Sequence, residues 1–290
     1  MRAMDTPAYL TTREVADLLR VKERKVYDLA AAGEIPHRRI TGKLLFPHAE
    51  LVGWIERGAG GPAADTPPVV TGSHDPLLDW AVREVDAGLA TLWNGSGDGL
   101  VAFAEGRAAL AGLHLPEPDG WNVDSVAARG LSGCVLIGWA VRMRGLLVAP
   151  HAADRVAGIT DLRGLRVARR QPGAGAATLL DRLLDDAGLG AGDTVPARHV
   201  ARTESDAAAM VAGGEADAAL GIAAMARRYS LAFVPLTEER YDLLIDRRAY
   251  FTPPVQALVA FARTAAFADR AAALGGYDIG AAGAVRWLSP

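Results

Sequence analysis

Residues 11–56 decide the fold of the N-terminal part of the chain, and they read TTREVADLLRVKERKVYDLAAAGEIPHRRITGKLLFPHAELVGWIE. Thr11 and Glu14 have the spacing of a capping box, in which each side chain accepts a hydrogen bond from the other residue's backbone N–H. An apolar face follows at i, i+3 and i+4, formed by Val15, Leu18 and Leu19. The pattern therefore predicts a first short helix, with a tight turn after it at residues 20–22.

A second helix, a hairpin and a third helix follow in the same stretch. The second helix repeats the apolar spacing and is expected to end at Gly33. Its inward-facing residues are Val26, Leu29 and Ala30. Residues 35–46 predict a short hairpin around the turn Thr41-Gly42, and Pro47 opens the third helix. Two short helices, a hairpin and a third helix define a small winged helix-turn-helix.

The basic side chains of this segment point to a nucleic acid as partner. The outward face of the second helix carries Lys22, Arg24, Lys25 and Tyr27. The hairpin carries Arg38, Arg39 and Lys43. A short helix with such side chains fits the major groove of DNA, and a basic hairpin beside it suits phosphates or the minor groove. The alternative is a solvated basic face on a small helical module.

The segment resembles the excisionase/MerR-type helix-turn-helix family, in which the pattern T-x-E-V-A-x-L-L … V … Y-x-L-x-x-x-G-x-I-P … R-x-x-G-x-x-x-F recurs. The residues that match this pattern are Thr12, Glu14, Val15, Ala16, Leu18, Leu19, Val26, Tyr27, Gly33, Ile35, Pro36, Gly42 and Phe46. The resemblance implies double-stranded DNA as partner. It places Lys22, Arg24, Lys25 and Tyr27 towards the groove, and Arg38, Arg39 and Lys43 near phosphates.

Composition limits the class of protein. The chain has 290 residues, of which 50% are hydrophobic, so it can form two or three domains with their own cores. The longest apolar run, Leu131 to Val141, ends at Arg142 and is too short to span a membrane. The N-terminus lacks the apolar core of a signal peptide, so a cytoplasmic location is expected. The single cysteine, Cys134, lies in the apolar run and is expected to be buried and unreactive.

Charge is distributed unevenly along the chain. Residues 1–58 carry 10 Lys+Arg and 8 Asp+Glu, a formal charge of +2, whereas the remaining residues carry 21 and 26, a formal charge of −5. A module of charge +2 binds DNA weakly by itself, because neutralisation of phosphates supplies most of the affinity. A homo-oligomer, either a dimer or a tetramer, that reads paired half-sites is therefore expected.

The pattern changes after the helix-turn-helix. Residues 57–68 read RGAGGPAADTPP, in which nine of twelve residues are Gly, Ala or Pro. The predicted organisation is a DNA-binding domain at 1–57, a linker at 58–68 and a second domain at 69–290. From Val69 onward strand and helix patterns alternate, which implies parallel sheets with helices on both faces. The predictions include a helix from Leu77 to about Leu92, separate strands at 135–141, 146–149, 233–235 and 242–245, and a helix capped by Ser205.

Three loops of the second domain place small residues where a helix begins. They are Ser73-His74-Asp75, Gly95-Ser96-Gly97 and Gly173-Ala174-Gly175. Free backbone N–H groups and the helix dipole make such points anion sites, and serine hydroxyls add neutral donors. His74 and His114 lie at predicted strand ends and could also contact an anion, although neither has the companion residues of a zinc site. Of the three residues before the glycine loop, Arg169, Arg170 and Gln171, one is expected to face the ligand, and at least one arginine is expected to be solvated.

The second domain resembles the type II periplasmic-binding-protein fold in its cytoplasmic sensor form, and in particular molybdate- and tungstate-binding proteins. The likeness lies in GSHDP (72–76), WNGSGDGL (93–100), AGLHLPE (111–117), GLLVAP (145–150), RRQPGAG (169–175), GEADAALGI (214–222) and DRRAY (246–250). It implies a multidomain protein whose second part is a two-lobed α/β domain that closes on a small ligand. Lobe one would comprise residues 69–144 and 250–290, and lobe two residues 145–249.

The resemblance also assigns ligand contacts. Ser73 and Ser96 would donate from lobe one, Ala174 and Gly175 would donate backbone N–H groups from lobe two, and Gly221 and Ile222 would line the cleft. With the residues named from the loops, the candidate ligand-binding set is Ser73, His74, Ser96, Gly97, His114, Gln171, Gly173, Ala174, Gly175, Gly221 and Ile222. Ala176 and Ala177 stand where many relatives have Ser or Thr, so this loop lacks a hydroxyl contact.

Three functions are compatible with these features. The first is a one-component transcriptional regulator whose effector is a small anion, molybdate or tungstate by resemblance; another oxyanion, a molybdenum-cofactor precursor or a small organic molecule are alternatives. The second is a ligand-free adaptor that only dimerises. The third is an enzyme, which is disfavoured because there is no G-x-S-x-G elbow and no metal-ligand spacing, and Ser73-His74-Asp75 are sequence neighbours that cannot converge as a triad. No catalytic residue, metal or cofactor is expected.

Overall fold

The structure, a computed structural model, describes residues 7–58, 66–190 and 192–290. The chain divides into two compact units, Met1–Asp65 and Thr66–Pro290. Residues 59–65, which form most of the predicted linker, lie outside the described ranges. No helix of the described ranges is long and apolar enough to cross a membrane.

The N-terminal unit is built on the predicted capping box. The Thr11 side chain accepts from the backbone N–H of Glu14 (3.4 Å), and the Glu14 carboxylate accepts from the backbone N–H of Thr11 (2.7 Å). The first helix ends where Arg20 adopts a left-handed conformation with φ 54°. The elements in chain order are β1 (Tyr9–Thr11), α1 (Thr12–Leu19), α2 (Glu23–Ala31), β2 (Arg38–Ile40), β3 (Lys43–Pro47) and α3 (His48–Gly58).

The wing of this unit is the predicted hairpin. Thr41 and Gly42 both have positive φ angles, 49° and 82°, as a two-residue type I′ turn requires. Strand β1 pairs with β3 and completes a three-stranded sheet that the sequence analysis did not predict. The helices and the hairpin bury one common core, whose fully buried members are Val15, Val26, Phe46 and Leu51.

The second unit alternates strands and helices around one large mixed sheet. Its strands are β4 (Val69–Gly72), β5 (Ala90–Trp93), β6 (Leu110–Leu113), β7 (Pro116–Glu117), β8 (Gly120–Trp121), β9 (Cys134–Val148), β10 (Arg166–Arg170), β11 (Val195–Ala201), β12 (Ala218–Ile222), β13 (Ala232–Asp246), β14 (Tyr277–Asp278) and β15 (Val285–Leu288). Its α-helices are α4 (Pro76–Val85), α5 (Ser96–Ala104), α6 (Val123–Ala127), α7 (Gly175–Asp186), α8 (Glu204–Ala212), α9 (Ala223–Arg228), α10 (Arg247–Tyr250), α11 (Pro253–Phe261) and α12 (Ala265–Leu274). Two 3₁₀ helices span Pro150–Arg155 and Ile159–Leu162.

Two long crossing strands make the domain two-lobed. Strands β9 and β13, each of 15 residues, pair antiparallel along their lengths. At one end they join the parallel strands β4, β5 and β6, which form lobe one. At the other end they join the parallel strands β10, β11 and β12, which form lobe two. The predicted two-lobed α/β fold is therefore confirmed, although the sheet is mixed and not purely parallel.

Several predicted elements were wrong. The helix predicted from Leu77 to about Leu92 ends at Val85, because Asp86 and Gly88 take positive φ angles and residues 90–93 form strand β5. The four separate strands predicted at 135–149 and 233–245 are parts of β9 and β13. Thr203, and not Ser205, caps α8 through a hydrogen bond from the backbone N–H of Asp206.

Each lobe has its own core. In lobe one, helices α4, α11 and α12 cover the sheet around Leu77, Trp139 and Phe267. In lobe two, one core lies around Leu147 and Met225 and another around Leu180 and Leu220. Leu274 and Tyr277 pack against both the lobe-one core and the core around Leu147 and Met225, and the backbone of β9 and β13 runs through both lobes.

Candidate functional site

The predicted DNA-contacting residues are all exposed on one unit. Helix α2 buries Val26 and Ala30 against the core and leaves its other face to solvent. Tyr27 is 51% exposed although it is aromatic. The remaining predicted contacts, also exposed, are Lys22, Arg24, Lys25, Arg38, Arg39 and Lys43. An exposed face of this composition is free to approach DNA phosphates and base edges.

One of these cations already has a protein partner. Nη2 of Arg38 lies 2.8 Å from Oε1 of Glu50 on α3, and both side chains are about half exposed. A surface ion pair of this kind contributes little to stability, so Arg38 can exchange Glu50 for a phosphate. Among the described residues, Arg24, Lys25 and Arg39 have no carboxylate within salt-bridge distance, so their charges are available to an anionic partner.

The predicted donors of lobe one converge at the ends of β4 and β6 and the start of α5. The hydroxyls of Ser73 and Ser96 lie 2.8 Å apart, and the backbone N–H of His114 donates to the Ser96 hydroxyl (3.1 Å). All three residues are buried. Gly72 permits this convergence, since a side chain there would overlap the backbone of Gly112 on the adjacent strand.

The glycine loop of lobe two lies directly against these residues. The backbone N–H of Gly97, in the first turn of α5, donates to the carbonyl oxygen of Gly173 (3.0 Å). Gly175 begins α7, and a Cβ at this position would overlap the carbonyl oxygen of His114. The first turns of α5 and α7 therefore meet across the boundary between the lobes, and the lobes are closed on each other.

A network of buried charges, which was not predicted from the sequence, lies behind this meeting point. Arg142 and Arg144 project from β9 and are fully buried. Arg142 donates to Asp75 (2.8 Å) and, through Nη2, to Glu239. Nε of Arg144 lies 2.6 Å from Oε2 of Glu239, which also accepts from Nδ1 of His114 (3.1 Å). One carboxylate on β13 thus joins both crossing-strand arginines to His114.

The network continues into lobe two and is bordered by tyrosines. Glu204, at the start of α8, accepts from Arg144 (2.9 Å) and from Arg170 (3.1 Å). On the other side Tyr277 donates to Asp75 (2.7 Å), and the guanidinium of Arg142 stacks over the Tyr241 ring at 4.4 Å. Three guanidinium groups thus meet three carboxylates, and their formal charges cancel. Asp75 and Arg170 had been named with the predicted loops, whereas the other members were not selected from the sequence as site residues: Arg142, Arg144, Glu204, Glu239, Tyr241 and Tyr277.

The network fixes the protonation of its members. Burial acts against ionisation of Glu204, but Arg144 and Arg170 outweigh it and lower the pKa of Glu204 to about 2. Burial likewise opposes ionisation of Glu239, and Arg142 and Arg144 hold its pKa well below the usual range. Burial lowers the pKa of His114, and the neighbouring Glu239 does not fully offset the effect. At neutral pH His114 is therefore uncharged and donates from Nδ1 to Glu239.

Some polar atoms of the network have no hydrogen-bond partner within the described ranges. Two of them are Nη1 of Arg144 and Oε2 of Glu204, and both are buried. Unpaired buried polar atoms are costly, and they often mark positions where a ligand or water completes the structure. Both belong to side chains that link lobe two to the crossing strands.

Of the remaining predicted ligand residues, Gln171 borders the convergent residues and three lie elsewhere. Gly221 and Ile222 are placed on β12, where Gly221 faces Leu147 and Ile222 belongs to the lobe-two core. Gln171 approaches Gly95 and donates to the carbonyl oxygen of Arg202 (3.3 Å). His74 lines a separate cavity beside α4. The predicted set therefore divides in two. One part, the convergent group, meets where β4 and β6 end and α5 and α7 begin, and the other part does not. The members of the convergent group are Ser73, Ser96, Gly97, His114, Gly173, Ala174 and Gly175.

A signal for the charge network was present in the sequence. Strand β9 reads CVLIGWAVRMRGLLV, in which Arg142 and Arg144 are the two charged residues of an otherwise apolar strand. Residues i and i+2 of a strand share a face, and buried arginines require carboxylate partners. Glu239 lies directly opposite Arg142 on the paired strand β13. The two arginines before the glycine loop point in opposite directions, as adjacent strand residues do: Arg170 is buried, whereas Arg169 is 28% exposed and pairs with Asp181.

The stability of the domain is expected to fall as the pH is lowered from about 6.5 towards 2. Carboxylates with lowered pKa values, such as Glu204 and Glu239, stabilise the folded state above their usual pKa of 4.5, and this contribution is lost on acidification. His114 adds to the loss below 6.5, because the unfolded chain takes up a proton that the folded state resists. Urea unfolding at several pH values between 7 and 3 measures the slope of the free energy of unfolding against pH. E204Q should reduce the slope below pH 4.5; an unchanged slope would contradict the assignment.

Comparisons with known proteins identify the two units. Residues 81–263 match the model of the PBP superfamily domain, and residues 9–59 match a helix-turn-helix domain. The chain belongs to the PBP superfamily, with an N-terminal helix-turn-helix domain of the excisionase-like type. A helix-turn-helix domain joined to a PBP domain fits a DNA-binding regulator with a ligand-binding domain.

The chain is similar along most of its length to one curated protein. The uncharacterized protein YvgK of Bacillus subtilis (strain 168) is 27% identical over 269 residues, which cover 84% of this chain and 87% of that protein. This similarity assigns no ligand.

Solved structures share the fold at low identity. A structure from Clostridium perfringens, described as a putative phosphate ABC transporter substrate-binding protein with bound phosphate, has a TM-score of 0.52 at 12% identity and covers 71% of this chain and 96% of that chain. A hydrogen-peroxide-bound mutant of OxyR from Corynebacterium glutamicum has a TM-score of 0.51 at 12% identity and covers 91% of this chain and 89% of that chain. The regulatory domain of MetR, a LysR family regulator from N. meningitidis, has a TM-score of 0.51 at 15% identity and covers 72% of this chain and 96% of that chain.

Proposed function

We propose that this chain is a one-component transcriptional regulator whose PBP domain closes on a small anion and thereby controls DNA binding by the helix-turn-helix domain. The observation that carries the proposal is the convergence of Ser73, Ser96 and the backbone N–H of His114 with the start of α7 at the boundary between the lobes. A ligand held there touches both lobes, so its binding free energy favours the closed arrangement over an open one.

A tetrahedral oxyanion suits the chemistry of this place, and molybdate and tungstate are the proposed effectors. The donors are hydroxyls and backbone N–H groups at helix starts, which bind anions through oriented dipoles. The charges of the buried network cancel, so net charge contributes little to selectivity. The proposal includes no catalytic step.

A second candidate function is a ligand-free adaptor, and one observation favours it. Several donors of the convergent group already have protein partners: Ser96 contacts Ser73 and His114, and the backbone N–H of Gly97 is used by Gly173. A domain that closes on itself in this way can serve as a rigid dimerisation unit. The two candidates differ in whether closure needs a ligand.

The proposed regulator acts as a cytoplasmic homo-oligomer. The DNA-binding unit has a formal charge of only +2 over residues 1–58, so one copy neutralises few phosphates. Two copies that read paired half-sites double the electrostatic contribution and add the specificity of the half-site spacing. Size-exclusion chromatography with light scattering measures the state; a monomer at micromolar concentration would contradict this part of the proposal.

A thermal-shift panel of molybdate, tungstate, sulfate and phosphate tests the proposal. Ligand at a hundredfold excess over its Kd should stabilise the folded state by about 2.7 kcal/mol, which raises the unfolding midpoint visibly. S96A should lose the ligand-induced shift because it removes a hydroxyl at the meeting point. S125A, which removes a serine hydroxyl from α6 of the same lobe, should keep it.

A second pair of variants separates ligand binding from closure. G175A places a Cβ against the carbonyl oxygen of His114 and should hold the lobes apart, whereas G158A adds a Cβ with nothing within 4 Å. The regulator proposal predicts a shift for wild type and G158A and none for G175A. The absence of a shift for any oxyanion with wild-type protein would reject oxyanion sensing and favour the adaptor.

A further inference from the structure

A second cavity lies on the flank of the PBP domain, away from the convergent serines. It has a volume of about 600 Å³ and is bounded by α4 and α12 of lobe one and by α9 of lobe two. This volume falls within the range of sites for small organic ligands and exceeds what a single tetrahedral oxyanion fills. The side chains on which its chemistry depends are His74, Trp80, Arg83, Arg227, Arg228 and Arg270.

The cavity is strongly positive. Four arginines line it against one carboxylate, Asp79, which pairs with Arg83 at 2.5 Å. Within the described parts of the chain, Arg227, Arg228 and Arg270 have no carboxylate within salt-bridge distance. Three solvent-exposed arginines thus line the cavity with no described carboxylate to pair with them. Converging uncompensated arginines favour an anion with more than one negative charge.

A mostly buried histidine forms part of the cavity wall. The His74 side chain is only 10% exposed, and its Nδ1 has no hydrogen-bond partner among the described residues. Its Nε2 lies 3.9 Å from Asp79, and its ring meets the edge of Trp93. The ring of His74 lines the cavity, whereas its unpaired Nδ1 is buried and not exposed to the cavity space.

The cavity also has an aromatic and apolar part. The Arg270 guanidinium lies 5.4 Å from the centre of the Trp80 ring, and Phe261 supports the same ring from the core. Leu274 and Ala224 add apolar surface on the α12 and α9 sides. An indole beside cations suits a planar ring that carries charged groups.

We propose that this cavity binds a phosphate ester of a planar ring compound, of about the size of a nucleoside monophosphate. The phosphate meets Arg227, Arg228 and Arg270, and the ring packs beside Trp80. Arg227 already reaches from lobe two towards α12, since its Nη1 donates to the carbonyl oxygen of Ala273 (3.4 Å). A ligand held by Arg227 and Arg270 therefore joins the two lobes at a second place, separate from Ser96.

Isothermal titration calorimetry with adenosine 5′-monophosphate and with adenosine tests the site. AMP should bind saturably at one site per chain, with an affinity that falls as salt is raised, and adenosine should bind at least about tenfold more weakly because it lacks the charged group. The double variant R227Q/R270Q should weaken AMP binding by about a hundredfold. R248Q/R263Q removes two exposed arginines elsewhere on the domain and should leave the affinity unchanged.

The outcomes separate this cavity from the proposed oxyanion site. Loss of AMP binding in R227Q/R270Q, with binding kept in S96A and in R248Q/R263Q, supports the cavity. No saturable binding of AMP to wild-type protein would overturn the proposal. So would AMP binding that survives R227Q/R270Q, or that S96A removes instead. Circular dichroism of each variant confirms that the fold is kept.

Discussion

Replacing Glu239 with glutamine is expected to lower the free energy of unfolding of the PBP domain by about 3–5 kcal/mol, because one partner of a buried, hydrogen-bonded ion pair is removed. Glu239 is fully buried, forms ion pairs with both Arg142 and Arg144, and accepts a hydrogen bond from His114. Glutamine keeps the shape of the side chain but not its charge. The two guanidinium groups would then remain buried with an excess of positive charge.

Urea unfolding followed by circular dichroism measures the effect of E239Q. The neighbouring residue offers a matched control, since Glu238 is exposed on the same strand, and E238Q should change stability by less than about 0.5 kcal/mol. Equal stabilities of E239Q and E238Q would show that the network contributes nothing to the fold. A large loss for E239Q alone would show that the buried charge network stabilises the fold.

Replacing Arg24 and Lys25 with alanine is expected to reduce specific DNA affinity by about 2–6 kcal/mol, or thirtyfold and more. Both side chains are exposed on α2, whose other face is fixed to the core by Val26 and Ala30. Alanine favours the helix, so the change removes side-chain contacts without disturbing the fold. The slope of log affinity against log salt should change little, since the phosphate contacts are assigned to the hairpin.

Fluorescence anisotropy on a duplex obtained by selection from random-sequence DNA measures this loss. Arg13 lies exposed in the first turn of α1 and outside the predicted contacts, so R13A is the control and should keep most of the affinity. Equal affinities of R24A/K25A and wild type would show that α2 is not the recognition helix. They would favour the hairpin, with Arg39 and Lys43, as the main DNA contact.

The helix-turn-helix was predictable because its signals are local. A capping box at Thr11 and Glu14, a positive-φ turn at Thr41-Gly42 and apolar periodicity fix each element from neighbouring residues. Strand β1 was missed because three residues carry no measurable alternation, and its existence depends on pairing with β3. The helix predicted to Leu92 was too long because apolar spacing alone does not reveal the left-handed residue Asp86.

The PBP domain was predictable in outline and not in its centre. The glycine and serine loops could be recognised, and the structure brings Ser73, Ser96 and Gly173 together as expected. Sequence reasoning treated Arg142 as the end of an apolar run, whereas β9 continues through it and buries it. Its partners Asp75 and Glu239 are 67 and 97 residues away along the chain, so only the tertiary fold reveals the pairing.

The measurement that tests the central claim most directly is the DNA affinity of the full chain with and without saturating molybdate or tungstate. If the PBP domain controls the helix-turn-helix, the Kd for the selected duplex should change by about fivefold or more, and saturating DNA should change the oxyanion Kd by the same factor. S96A should bind the duplex with an affinity that no longer responds to the oxyanion. An oxyanion that binds the wild-type chain but leaves its DNA affinity unchanged would contradict the account.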